Sequence, residues 1–353
     1  MRQKGRYAEG VVVANATDKV SLPPATTTRG DAPYDPGRCP ICSGDLRPTS
    51  VRYGPADVLA RWEYSHQSFP QEVRDTFAVY PPTTLYRCAC CGCGFYLPAW
   101  AASEAFYDAL QTDSDTYYLE DKWEYQQALR LARPGDRVLD VGCGAGCFLE
   151  LARSRGAIGV GIETAPCART LAEARGFDVH DCDIADAEAP VGHEFDMVCA
   201  FQVLEHIVDP VAFARAMADR ARPGGTLVLG VPNAEGSLRW DKDCSFNIPP
   251  HHLTTWTGGA LRALADKLGL SVIELANEPL DIVHHWGYLA GWWEDTVLRG
   301  RGVDAPNYTP TGFLRRVGSR GIRNSAKAAT RAGIRTIPWI RGHTVQVALR
   351  KPG

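Results

Sequence analysis

The run Val138-Leu139-Asp140-Val141-Gly142-Cys143-Gly144-Ala145-Gly146, followed by the apolar stretch Cys147 to Ala152, constrains the fold more than any other part of the chain. It reads as a buried strand, a glycine turn and a helix in immediate succession. Glycines at alternate positions permit positive φ and let a ligand approach main-chain atoms closely. The helix behind them leaves its first N–H groups without intrahelical partners, aimed at whatever sits on the turn. In the dinucleotide form of such a turn, G-x-G-x-x-G, no acid stands two residues upstream and a pyrophosphate lies against the helix. Here Asp140 occupies that position. A carboxylate there repels a pyrophosphate and suits a ligand bearing an ammonium or sulfonium group. For this motif alone, the competing reading is a structural glycine turn in some other α/β protein.

The flanking sequence supplies the rest of an alternating α/β pattern. Pro134-Gly135-Asp136 turns the chain into the first strand, and Ile158 to Ile162 reads as a second, ending at Glu163. A helix over about 165–175 stops at Gly176, and Phe177 to His180 reads as a third strand before the acidic turn Asp181-Cys182-Asp183. Phe195 to Ala200 is a fourth strand. Asp209-Pro210 provides an N-cap and a proline at the first helical position. That helix is expected to end at Arg222-Pro223-Gly224-Gly225, ahead of a strand over Thr226 to Val231. Thr257 caps a further helix that breaks at Gly269, Ser271 to Leu275 reads as a strand, and His343 to Leu349 as the last. The expected organisation is a disordered leader over 1–37, a cysteine module over 38–100, an aromatic helical lid or linker over 101–133, the α/β core over 134–275, a substrate-side insertion over 276–342, and a last core strand in 343–353.

Several blocks occur together in a telling order: Asp140 to Gly146, Glu163, Asp183, Val203-Leu204-Glu205-His206, Arg222 to Gly225, and Val231-Pro232-Asn233. This ensemble resembles the class I S-adenosylmethionine (SAM) methyltransferases, in particular the group of ubiquinone-biosynthesis O-methyltransferases, over roughly residues 120–275 and more weakly 343–350. The resemblance implies a Rossmann-like seven-stranded α/β sheet with an antiparallel last strand. It implies that Asp140, Gly142, Gly144 and Gly146 hold the methionine moiety and that Glu163 accepts from both ribose hydroxyls. Asp183, with Asp181 as its alternative, would accept from the adenine amino group, and the loop opening at Phe201 would pass the methyl donor.

Methyl transfer to a hydroxyl or an acidic carbon also needs a proton acceptor, a role suited to histidine at neutral pH. His206 follows Glu205 just past the fourth strand, and His251 and His252 lie in Pro249 to Trp256. By the resemblance, a His-Leu block at this point faces the acceptor, which makes His252 a candidate base alongside His206 and His251. The bland alternative for His206 is a residue that orders its loop. His284 and His285, beside Trp286, Trp292 and Trp293, read as pocket wall or surface, and Tyr117 and Tyr118 as lid candidates. Beyond the cysteines, the sequence displays no complete second metal constellation.

Cys39-Pro40-Ile41-Cys42 and Cys88-Ala89-Cys90-Cys91 are two C-x-x-C knuckles. Four thiolates at this spacing match a tetrahedral structural zinc site, with Cys39, Cys42, Cys88 and Cys91 as ligands. Cys90 and Cys93 form an overlapping pair that leaves the second knuckle open to alternatives. The knuckles are 45 residues apart, against roughly 15–20 in compact ribbons. An insertion carrying Trp62, Tyr64, Phe69 and Phe77 is therefore expected to pack beside them. A cysteine module ahead of a SAM domain resembles, in arrangement, the deoxysugar C-methyltransferases of natural-product and polysaccharide pathways.

With 353 residues, 45% hydrophobic and 22% charged, the composition is that of a soluble globular protein. No apolar run reaches a membrane span and none resembles a signal-peptide core, so a cytoplasmic setting with 12 reduced or metal-bound cysteines is expected. The net charge of −3 conceals a polarity, because from Arg299 onward twelve Lys and Arg face one acid, Asp304. Arg316, Arg320, Arg323, Lys327, Arg331 and Arg335 recur at helical spacing. This face suits a phosphate-, nucleotide- or carrier-linked acceptor, anionic lipid, or the chain's own acidic portion. Nucleic acid is disfavoured, since no aromatics are interleaved for stacking. The leading expectation is a SAM-dependent methyltransferase acting on a small or carrier-linked metabolite of secondary metabolism or sugar biosynthesis. Its alternatives are non-methyl SAM chemistry and a non-catalytic SAM- and zinc-binding adaptor.

Overall fold

The structure is a computed structural model that describes residues 37–65, 69–112, 122–186, 190–240, 244–282, 289 and 313–353. Residues 1–36 of the expected leader, Tyr117, Tyr118, His284, His285 and the tryptophans at 286, 292 and 293 lie outside the described residues. The N-terminal part runs β1 (Leu46–Tyr53), α1 (Pro55–Ser65), α2 (Gln71–Val79), β2 (Thr83–Cys88), β3 (Gly94–Leu97), α3 (Glu104–Thr112) and α4 (Trp123–Leu129). The alternating core follows as β4 (Arg137–Val141), α5 (Cys147–Ser154), β5 (Ile158–Ile162), α6 (Pro166–Ala174), β6 (Asp178–His180), β7 (Phe195–Phe201), α7 (Pro210–Arg220) and β8 (Ala221–Pro232). Then come β9 (Thr254–Thr255), α8 (Gly258–Leu268), β10 (Ser271–Asp281), α9 (Phe313–Arg331) and β11 (Thr336–Arg350).

Seven strands form one sheet in the order β10-β11-β8-β7-β4-β5-β6. The pairs β4–β5, β5–β6, β4–β7 and β7–β8 are parallel, whereas β11 runs antiparallel between β8 and β10. The strand order reverses between β4 and β7, and a ligand crevice is expected at such a switch point, outside the carboxyl ends of the strands. Local signals set the element ends. The Asp209 carboxylate accepts from Ala212 N at 3.0 Å to cap α7, Thr257 Oγ1 accepts from Ala260 N at 3.0 Å to cap α8, and Gly269 ends α8 at φ +70°.

The chain departs from the sequence expectations at several places. Helix α7 stops at Arg220 and β8 begins at once at Ala221, five residues before the expected strand start. Strands β10 and β11 are longer than expected because residues 279–281 pair with 336–341 across register shifts. Within the expected helical lid or linker over 101–133, the described parts hold the two separate helices α3 and α4. Arg335 lies beyond the end of α9, so the basic register stops at Arg331. Trp62, Phe69 and Phe77 do not pack beside the knuckles. They form a separate cluster with Trp100, Phe106 and Ile248, while Cys39, Cys88 and Cys91 belong to the core of the large sheet. The Tyr64 side chain lies outside the described residues.

Candidate active site and cysteine cluster

The glycine turn has the geometry its sequence demands. Gly142, Gly144 and Gly146 adopt φ of +75°, +55° and +76°. At Gly142 a Cβ would lie 2.6 Å from Val203 Cγ2, so this residue must be glycine for the 203–206 loop to rest against the turn. Asp140 is buried at the end of β4, and burial pushes its carboxyl up to about 7, offset in part by the Cys199 thiol 3.6 Å away.

Glu163 follows β5 and reaches across to this turn. Its Oε2 accepts from Gly144 N and its Oε1 from Ala165 N, both at 2.8 Å. Each oxygen keeps a second lone pair for a diol. Asp183 is exposed past β6 and accepts from Ala185 N at 2.9 Å. The Phe201 ring packs inward on Tyr125 and Phe148, with centroids 5.0 and 4.7 Å away, which leaves its backbone as the part available to a ligand. The structure thus ties Glu163 to the glycine turn, with Asp140 at the end of the adjoining strand β4, and leaves Asp183 exposed past β6.

Beyond β7, residues Leu204–His206 form a short 3-10 turn against Gly142. The 251–254 segment returns to this turn, with Leu253 N donating to Glu205 O at 2.8 Å. The result is a cluster of the buried Glu205, His251 and His252 with the half-buried His206. The imidazole centroids are 4.5 Å (206–251), 5.0 Å (206–252) and 4.8 Å (251–252) apart. Glu205 is 1% exposed and neither carboxyl oxygen makes a hydrogen bond among the described residues. The Nε2 atoms of His206 and His252 stand 3.8 and 3.9 Å from its Oε1.

Burial pushes the Glu205 carboxyl up to about 8 and the His206 imidazole down to about 4, and it holds His252 well below its usual value. His206 Nδ1 contacts His251 O, and His251 Nδ1 lies 2.8 Å from Phe246 O. A carbonyl can only accept, so both rings donate from Nδ1–H and keep Nε2 as the basic nitrogen. The three imidazoles, with one nitrogen from each within 4.8 Å, could also hold a cation. No sequence spacing announces this grouping, because 45 residues separate His206 from His251.

Sequence reasoning missed three neighbours. Glu124 is buried on α4, raised by burial, and accepts from Gln202 Nε2 at 3.3 Å. Lys122 caps the same helix with its Nζ 5.4 Å from the Tyr125 ring centroid. Tyr107 on α3 lies 6.0 Å from the rings of both His206 and His251. A charged residue within an apolar helical face was the available signal for Glu124.

Cys39, Cys42, Cys88 and Cys91 converge, with all four Sγ atoms within 4.8 Å. Cys39 and Cys91 are 3.7 Å apart, and Cys42 and Cys88 3.4 Å. Four ligands at about 2.3 Å on a tetrahedron stand about 3.8 Å from one another, so this donor set fits a zinc ion. Cys90 is exposed and Cys93 is buried, and both lie outside the quartet. The Cys91 thiol holds that of Cys39 down to about 5.

A family described as "Methyltransferase domain" matches residues 117–275. The ubiquinone biosynthesis O-methyltransferase of Dinoroseobacter shibae is 36% identical over 170 residues, covering 42% of this chain and 68% of that protein. That of Xanthomonas campestris is 40% identical over 112 residues, covering 30% of this chain and 47% of that protein. The chain thus spans 68% of the length of the first of these relatives and about half of the second. A solved SAM dependent methyltransferase from Archaeoglobus fulgidus aligns over 64% of this chain and 90% of its own at 19% identity, with a TM-score of 0.42. Asp140, the glycine turn and Glu163 all fall inside the matched stretch, on the strand order described above. The chain belongs to the class I SAM-dependent methyltransferases.

Proposed function

We propose that the protein methylates a hydroxyl group of a small or carrier-linked metabolite, with the histidine cluster taking up the hydroxyl proton. One observation carries this reading: the Nε2 atoms of His206 and His252 stand within 4 Å of a buried carboxyl, directly against the glycine turn, and His206 keeps that Nε2 as its basic nitrogen. Oxygen as the acceptor atom follows the names of the curated relatives. An acceptor from secondary metabolism or sugar biosynthesis, carrying a phosphate, nucleotide or carrier group, suits the basic α9, whose Lys327 and Arg331 are exposed. The free cysteines suit a cytoplasmic setting. Among the described residues no helix is long and apolar enough to cross a membrane.

In this reading Asp140 and the Gly142–Gly146 turn hold the methionine end of SAM, Glu163 the ribose and Asp183 the adenine. When bound, the cofactor supplies an electrophilic sulfonium methyl group. The protein's own work is alignment, which can be worth roughly 7–11 kcal/mol, and removal of a proton, worth about 10²–10⁴-fold. His252, or His206 at Nε2, receives the proton, with His251 as the third candidate. The imidazolium so formed lies under 4 Å from Glu205 Oε1, whose lone pairs can accept from the new N–H. The four cysteines hold a structural zinc that, when bound, crosslinks the two knuckles.

Labelled SAM offered with a panel of hydroxylated metabolites tests the reading. It is wrong if label goes only to nitrogen or carbon acceptors, or if His206→Ala and His252→Ala both keep full turnover. A second reading rests on the approach of the three imidazoles within 4.8 Å, which allows a divalent cation to activate the acceptor. Loss of turnover on chelation, restored by magnesium or manganese with the cysteine-bound zinc unchanged, would select it.

A further inference from the structure

The segment that carries the histidine pair also completes the sheet of the cysteine module. That sheet has the order β1-β2-β3-β9, and β9 begins two residues after His252. Gly94 pairs with Thr255 and Phe95 with Thr254, and Tyr96 N donates to Leu253 O at 3.0 Å. On its other side the same segment grips the Glu205 turn. Leu253 N donates to Glu205 O at 2.8 Å, and Thr254 Oγ1 lies 3.4 Å from that oxygen and 3.5 Å from Leu204 O.

Thr257 closes this connection onto the knuckle. Its hydroxyl is buried, accepts from Ala260 N, and donates to Cys91 O at 2.9 Å. A hydroxyl has a single proton to donate, and here it goes to the backbone of a cysteine in the quartet. The approach leaves no room for side chains. A Cβ at Gly259 would lie 3.0 Å from Cys91 O, one at Gly92 (φ +80°) 3.3 Å from Thr257, and one at Gly94 2.3 Å from Thr255 Oγ1.

We propose that Thr257 is a positioning residue: it locks the Cys91 knuckle to the 251–257 segment, so that an intact cysteine cluster sets the placement of His251 and His252 against Glu205. The proposal rests on the reading of the histidines as proton acceptors and of the quartet as a zinc site. It predicts a split response. Disturbing the knuckle loosens the acceptor side and spares the cofactor side, because Asp140, Gly144 and Glu163 are tied together through β4 and β5, and among the described residues no hydrogen bond or ion pair joins them to the knuckle.

The test compares the full chain with Thr257→Val, which loses the hydroxyl, and Thr257→Ser, which keeps it, and with the wild type stripped of zinc by a chelator. Four readouts are taken: zinc per chain, S-adenosylhomocysteine affinity by calorimetry, amide exchange over 251–257 and 140–146, and turnover with the acceptor found in the labelled-SAM screen. In Thr257→Val and in stripped protein, exchange over 251–257 is expected to rise about tenfold or more while 140–146 stays within about twofold. S-adenosylhomocysteine affinity is expected to hold within about threefold, and turnover to fall more than tenfold at unchanged KM for SAM. Thr257→Ser is expected to restore both exchange and turnover. Equal exchange in wild type and Thr257→Val, failure of Thr257→Ser to rescue, or parallel loss of S-adenosylhomocysteine binding overturns the proposal. Exchange, zinc content and cofactor affinity need no acceptor, so failure of the hydroxyl-methylation reading leaves this coupling separately decided.

Discussion

Replacing Glu205 by glutamine is expected to stabilise the protein and disable it at once. The carboxyl is 1% exposed, neither oxygen accepts a hydrogen bond among the described residues, and burial pushes it up to about 8 from an unfolded value near 4.5. Between those two values the folded chain holds a proton that the unfolded chain releases. Stability from this group is therefore complete below pH 4.5 and is lost as pH rises toward 8. At about 1.36 kcal/mol per unit, the loss is about 3 kcal/mol at pH 7 and about 5 kcal/mol above pH 8. Glutamine has the same shape and no proton to lose, so Glu205→Gln escapes this loss. Asp140 and Glu278, both pushed up to about 7, slope the same way in both proteins and cancel in the difference. Thermal or urea melts at pH 5, 7 and 9 read the result. The difference in stability is expected to be under about 1 kcal/mol at pH 5 and to grow by several kcal/mol by pH 9. Turnover of the same variant is expected to fall by about 10²-fold or more. Parallel pH profiles for the two proteins would refute the reasoning.

Three further predictions follow from the same geometry. Asp140, pushed up to about 7, must ionise to attract an ammonium group. S-adenosylhomocysteine affinity by calorimetry is therefore expected to weaken below pH 7, by up to about tenfold per unit, and Asp140→Asn to flatten that profile. Gly142→Ala places a Cβ 2.6 Å from Val203 Cγ2 on a residue at φ +75°. It is expected to cost about 1–2 kcal/mol in melts, and to weaken S-adenosylhomocysteine binding. Elemental analysis is expected to find zinc bound through the cysteine quartet, and Cys42→Ser or Cys88→Ser to lower the content, with mutation of the exposed Cys90 having no effect.

The parts of the fold written in short-range pattern were legible in the sequence. Asp209 and Thr257 announced their helices because a cap is a contact between residues three apart. The glycine turn did so because its conformations exclude side chains. Long-range pairing was not legible. Nothing local indicates that Thr254 and Thr255 join β3, that 336–341 extends β11 along 279–281, or that the aromatics of α1 and α2 pack on α3 and Ile248 rather than on the knuckles. The histidines were visible singly, and Glu205 was visible beside one of them. Their assembly into one buried cluster depends on the return of the 251–254 segment to the turn after β7, a contact set by tertiary hydrogen bonds. The same return joins the cysteine module to the acceptor side.

The rate of labelled methyl transfer in His206→Ala and His252→Ala, each with its S-adenosylhomocysteine affinity, tests the central claim most directly. At least one variant is expected to lose about 10²–10⁴-fold in transfer rate, with affinity for S-adenosylhomocysteine held. Full transfer by both variants would show that the imidazoles beside Glu205 take no proton, and would contradict the account.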